Sequence, residues 1–207
     1  MKKIIITAAL LASIMLSGCG NNHNASQSGY KVTCRLNNTA QHDSATLLVL
    51  EKEYHQLRVC GKTKITDGTL TFSGQTNEPK VALIRWDNDT VQPFYFVLHE
   101  GDINITINPG SWDITGSPLN SEYLHYINMR NDINDKRVTL WQEYIKLSSE
   151  KSLKRSDEAR LVSRDSLLND SLQRITVDRI NRGDAVGEII RERYGNQLDQ
   201  EHKRMVN

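Results

Sequence analysis

The side chains best suited to covalent chemistry are the three cysteines, Cys19, Cys34 and Cys60. No Cys-x-x-Cys occurs, so the sequence carries no thioredoxin-type redox pair. The six histidines, His23, His42, His55, His99, His125 and His202, include no His-x-x-x-His pair, so no zinc site is signalled and each is expected at the surface or a rim. Gly61-Lys62-Thr63 has the ending of a phosphate-binding loop. That loop needs a glycine five residues earlier and a helix afterwards, whereas Gln56 occupies the place and a strand and turn follow, so no nucleotide is expected. There is no Gly-x-Ser-x-Gly elbow. The expectation is a protein with no catalytic residue, no metal and no cofactor.

Cys19 is set apart by what surrounds it. Lys2 and Lys3 form a positive start, and Ile4 to Met15 form an apolar run too short to span a bilayer core of roughly 30 Å. Small residues close the run, as in a secretory signal over residues 1–18. Leu16-Ser17-Gly18-Cys19 resembles the lipobox of bacterial lipoproteins. The resemblance implies cleavage after Gly18, diacylglycerol on the Cys19 thiol and acylation of its new amino group. Two or three acyl chains on one residue attach a protein to a membrane effectively permanently. Residues 19–29 are polar and uncharged, with too little apolar surface to fold, and read as a tether. No acidic residue follows Cys19 before Asp43, so the acidic signal for surface export is missing and the expected place is the cell envelope, facing the periplasm.

Removing 18 of the 207 residues leaves 189, enough for one moderate domain or two small ones. The remaining 24 basic and 25 acidic residues give no global charge that would favour nucleic acid. The envelope permits a disulfide between Cys34 and Cys60. Strand phase argues against it: Cys34 shares a face with Tyr30, Val32 and Leu36, while Cys60 lies opposite Leu57 and Val59.

These residues need a scaffold, and the chain supplies it in two halves, an α+β layout. Over residues 30–116, short β-branched and aromatic runs alternate with Asn, Asp, Gly and Pro, the pattern of a small antiparallel β-sandwich or barrel. Asp67-Gly68 marks a tight turn. Leu70 and Phe72, and Ile103, Ile105 and Ile107, alternate with polar residues as in half-buried strands. Leu47 to Leu50 and Phe94 to Leu98 are apolar on both faces, which predicts a second cover over these strands, with the helical half as candidate.

Over residues 29–125 the chain resembles the domain of unknown function 4369. The likeness lies in Asp67-Gly68-Thr69-Leu70-Thr71-Phe72-Ser73-Gly74, in Pro79 before a strand, in Phe96 to Ile103, and in Ile114-Thr115-Gly116-Ser117-Pro118-Leu119-Asn120. That domain commonly forms the membrane-proximal half of envelope lipoproteins whose other half is a thioredoxin-like oxidoreductase. The resemblance therefore implies either a binding or spacer module with an envelope protein partner, or the non-catalytic half of a thiol-disulfide system. It assigns no catalytic residue.

Residues 117–207 read as a helical hairpin followed by short helices. Ser117 and Pro118 open the first helix, whose apolar stripe runs to about Leu147 with a possible kink at residues 131–136. Its aromatic side, Tyr123, Tyr126, Trp141 and Tyr144, is expected against the sheet or the helical partner, with stacking on a glycan or peptide as the other use. Ser156, with Asp157 and Glu158, opens a second helix ending near Gly183. A third covers 184–194, and a fourth begins at Asp199 with few turns before Asn207, as if continuing into a further domain.

Overall fold

The computed structural model describes residues 28–37, 43–51, 56–87 and 94–206. Cys19, the signal, most of the tether, His23, His42 and His55 lie outside the described residues.

Two four-stranded sheets stack face to face. One has the order β4-β1-β7-β8, built from β1 (Ser28–Leu36), β4 (Thr69–Thr76), β7 (Gly101–Asn108) and β8 (Ser111–Thr115). The other has the order β3-β2-β5-β6, built from β2 (Ser44–Leu50), β3 (Leu57–Lys64), β5 (Lys80–Trp86) and β6 (Tyr95–Leu98). The alternating residues meet between them: Val32, Phe72, Ile103 and Ile105 from the first sheet pack on Leu47, Ile84 and Phe96 from the second. The antiparallel sandwich expected from the sequence is present with one difference. β1 and β7 pair in parallel, Val32 opposite Ile103, because the chain crosses to the other sheet and back between them. Asp67 (φ 50°) and Gly68 (φ 67°) take the left-handed conformation of the expected turn. Gly74 is needed for space, since a Cβ there would lie 2.5 Å from the Tyr30 hydroxyl across the β1–β4 pair.

The second cover over β5 and β6 is the helical half. Val81 and Val97, on the outer face of their sheet, pack with Tyr123, Tyr126, Ile180 and Ile190 in a separate apolar cluster. The molecule thus has three layers: sheet, sheet and helices.

α1 (Pro118–Ser149) is unbroken for 32 residues, about 48 Å at 1.5 Å per residue. The polar interruption at 131–136 does not kink the helix, because the segment contains no Pro or Gly and its polar side chains at 131, 132, 135 and 136 are exposed and cost the helix little. α2 (Arg155–Ile180) starts one residue before the predicted cap, with Lys154 at the N-cap and no side-chain capping bond. α3 (Ala185–Tyr194) is capped by Asp184, and after a 3₁₀ turn at Gly195–Gln197 a five-residue α4 (Gln200–Arg204) is capped by Asp199.

Candidate functional site

Cys34 sits on β1 in the centre of the sandwich, opposite Leu70 and Ile105, and is fully buried. Burial pushes its thiol up to about 12, so almost no nucleophilic thiolate exists at neutral pH. Cys60 corrects the strand-phase reading. β3 carries a bulge in which Leu47 pairs with Gly61 and Leu48 with Val59, leaving Cys60 as the extra residue. Cys60 still lies opposite Leu57 and Val59, as alternation requires, but it is Cys60 that packs against the sandwich core while Leu57 and Val59 face solvent. Burial raises the Cys60 thiol as well, with Arg58 acting in the opposite direction. Both thiols are free.

A serine and a histidine do meet, at the start of α1. Ser117 lies within 2.6 Å of His99 Nε2, and His99 Nδ1 faces the Glu100 carbonyl, which can only accept. In the neutral ring Nδ1 therefore donates and Nε2 accepts the Ser117 proton. The Ser117 oxygen is already committed, accepting from the Asn120 backbone N–H at 3.1 Å and from Asn120 Nδ2 at 2.8 Å. With both lone pairs engaged and the residue buried, this hydroxyl is a helix cap.

Asn120 completes the junction. Its Oδ1 accepts from the Val97 N–H at 2.7 Å and its Nδ2 donates to the Val97 carbonyl at 2.8 Å. β6 is an edge strand, so the carboxamide satisfies the backbone groups that the next strand would otherwise pair. The Gly116-Ser117-Pro118-Leu119-Asn120 run, quoted above for its resemblance, thus joins helix to sheet: Ser117 caps, Pro118 fills the first turn, and Asn120 closes the edge.

Two further buried polar groups fasten the helices. Arg179 bonds Glu122 and Asp184, each at 2.7 Å, tying α2 to α1 and to the cap of α3. His202, expected at a rim, is 3% exposed and lies 2.9 Å from Asp199 and 3.3 Å from Asp170, which seats α4 on α2. His125 is exposed as expected. No group of three metal-ligating side chains occurs among the described residues.

The distal hairpin differs from the rest of the molecule. Across residues 138–168 only Leu140 and Leu161 are buried, forming the seam between α1 and α2. Ion pairs Arg137–Asp165 (2.7 Å) and Arg160–Glu143 (2.6 Å) supplement it. The aromatic side read from the sequence divides here. Tyr123 and Tyr126 are wholly buried against the sheet, whereas Trp141 is 51% exposed and edge-on to Tyr144. Val138, Trp141 and Ile145 follow one another at helical spacing, all more than half exposed, and Val162 joins them. Trp141 follows seam residue Leu140 and Val162 follows Leu161, and in an antiparallel pair residues one step past the seam share a side. The result is an exposed apolar strip on one face of the hairpin. No helix is long and apolar enough to cross a membrane among the described residues.

No curated protein matches the chain. Residues 30–123, running from β1 through the Asn120 junction into the first turns of α1, match the family model described as Domain of unknown function (DUF4369), and over that stretch the chain resembles this domain.

Proposed function

We propose that this protein is a lipid-anchored, non-enzymatic module of the bacterial cell envelope that works by binding another envelope protein. Acylated Cys19 holds it to a membrane with the folded part facing the periplasm, and residues 19–29 give it reach. The observation carrying the reading is the strip of Val138, Trp141, Ile145 and Val162 on a hairpin that has no other packing duty there. Large apolar side chains grouped on one exposed face favour a protein partner, and tryptophan is among the residues that most often dominate such contacts. Cys34 is buried and Cys60 half-buried, and desolvation raises both thiols above the usual range, which suits binding better than exchange chemistry.

A photo-crosslinking amino acid at position 141, expressed in the native host, tests this. A single discrete adduct is expected, lost when Ile145→Glu is added and retained with Leu167→Glu on the opposite face. No adduct, or one indifferent to both changes, would refute the binding role. A second reading makes the chain the non-catalytic half of a thiol-disulfide system with a separate thioredoxin-like chain. The match of residues 30–123 supports it, and an adduct whose partner contains Cys-x-x-Cys would favour it.

A further inference from the structure

We propose that a cleft between α1, α2 and the turn after α3 binds a small carboxylate, with Arg130 as its principal contact. The cleft holds about 190 Å³ and lies on the same side of the hairpin as the apolar strip, though nothing here depends on that strip.

Its lining is polar and carries no carboxylate. Arg130 and Arg137 supply guanidinium groups, and Asn134 and Asn169 supply amides. The two arginines are in different states. Arg137 gives Nε and Nη2 to Asp165 at 2.7 and 3.2 Å, and its charge is compensated. Arg130 forms no ion pair among the described residues: its Nη2 donates to the neutral Gln197 Oε1, and its Cζ lies 4.2 Å from the centre of the Tyr194 ring. These contacts hold the guanidinium in place without neutralising it. A guanidinium has five N–H donors, and the bond to Gln197 engages one. Asn134 and Asn169 are half-buried and hydrogen bond to no other described residue, so their donors are unspent. The nearby carboxylates Asp170 and Asp199 are held by Arg174 and His202.

One uncompensated positive charge, fixed beside two unengaged amides in a recess this small, matches one negative charge on a planar group that accepts several hydrogen bonds. A carboxylate has that charge and shape, and pairs with guanidinium through charge-assisted bonds stronger than neutral ones. Phosphate, tetrahedral and carrying between one and two charges at neutral pH, matches a single guanidinium flanked by amides less well than a planar monoanion does.

Titration of the folded protein with sodium acetate, followed by backbone amide NMR at constant ionic strength, tests the site. Saturable shifts centred on residues 130, 134 and 169 are expected, in the millimolar range. Inorganic phosphate should bind more weakly, and neutral acetamide should give no saturable shift. Arg130→Gln should weaken acetate by about tenfold or more, the loss of a charge-assisted bond. Arg130→Lys should retain part of the affinity, and Arg35→Gln, exposed on β1 far from the cleft, should change nothing. If Arg130→Gln disturbs the fold, Asn169→Leu, which narrows the cleft without touching the Tyr194 contact, must abolish binding in its place. The proposal is overturned if acetate gives no saturable shifts, if acetamide or phosphate binds as well, or if acetate binds equally to the Arg130 and Asn169 variants.

Discussion

At Asn120 one carboxamide replaces a neighbouring strand, accepting from and donating to the two backbone groups of Val97 from a position with no solvent exposure. Neither backbone group has water to turn to when the amide is removed. Asn120→Ala should therefore destabilise the protein by about 2–4 kcal/mol, the cost of leaving a buried donor and acceptor unpaired. Urea unfolding of the variant against the parent measures this, and a loss below about 1 kcal/mol would mean that the edge is satisfied in another way. The sequence shows Asn120 as part of a recurring run, but its partner lies 23 residues away and no local pattern reveals it. The inward turn of Cys60 was hidden for a similar reason. Alternation sets it opposite Leu57 and Val59, but the choice of which face meets the core depends on how β3 lies beside β2, and there Leu57 and Val59 are left to solvent. His202 was read as a rim residue because a lone histidine carries no sign of the two aspartates that enclose it.

Among the elements, those with strong periodicity or clear punctuation were legible: the alternating strands, the Asp67-Gly68 turn, the Ser117-Pro118 start, and the beginnings of α3 and α4 near Asp184 and Asp199. The parallel β1–β7 pair was not, since strand direction within a sheet depends on the path of the intervening chain. Short α3 and α4 add polar fastenings to their apolar burial, and pH should expose this. Burial pushes the Asp184 carboxyl up, but the Arg179 guanidinium and the Gly187 N–H outweigh it and hold the group below the usual aspartate range. A depressed folded value means that the stabilisation is complete above the unfolded-state value, about pH 4, and disappears as pH falls through the folded one. Asp184→Asn keeps a good N-cap side chain while removing the charge. Guanidinium unfolding at neutral pH and below about pH 3 should show the variant less stable at neutral pH, with the difference shrinking in acid. A difference independent of pH would assign the role of Asp184 to capping alone. Because this carboxylate is partly solvated, the effect should be modest.

At the scale of the whole molecule, the three layers follow from one sequence property: β2, β5 and β6 are apolar on both faces and need two covers. The helical half supplies the outer one only near its base, through Tyr123, Tyr126 and Ile180, and leaves the distal hairpin free of that duty. The sequence announced a continuous aromatic side on the first helix. It could not show where the sheet stops beneath that helix, which is what separates buried Tyr126 from exposed Trp141. The carboxylate cleft was equally hidden, since it joins residues of α1 and α2 with the turn after α3. Tethering at a membrane would give the exposed face a fixed address, and that rests on Cys19. Fractionation of cells expressing the parent chain and Cys19→Ala, with mass spectrometry of the purified N-terminus, is the most direct measurement. The expected result is a parent protein in the membrane fraction beginning at an acylated Cys19, and a variant that leaves that fraction; an unmodified Cys19, or a variant that stays with the membrane, would contradict the account.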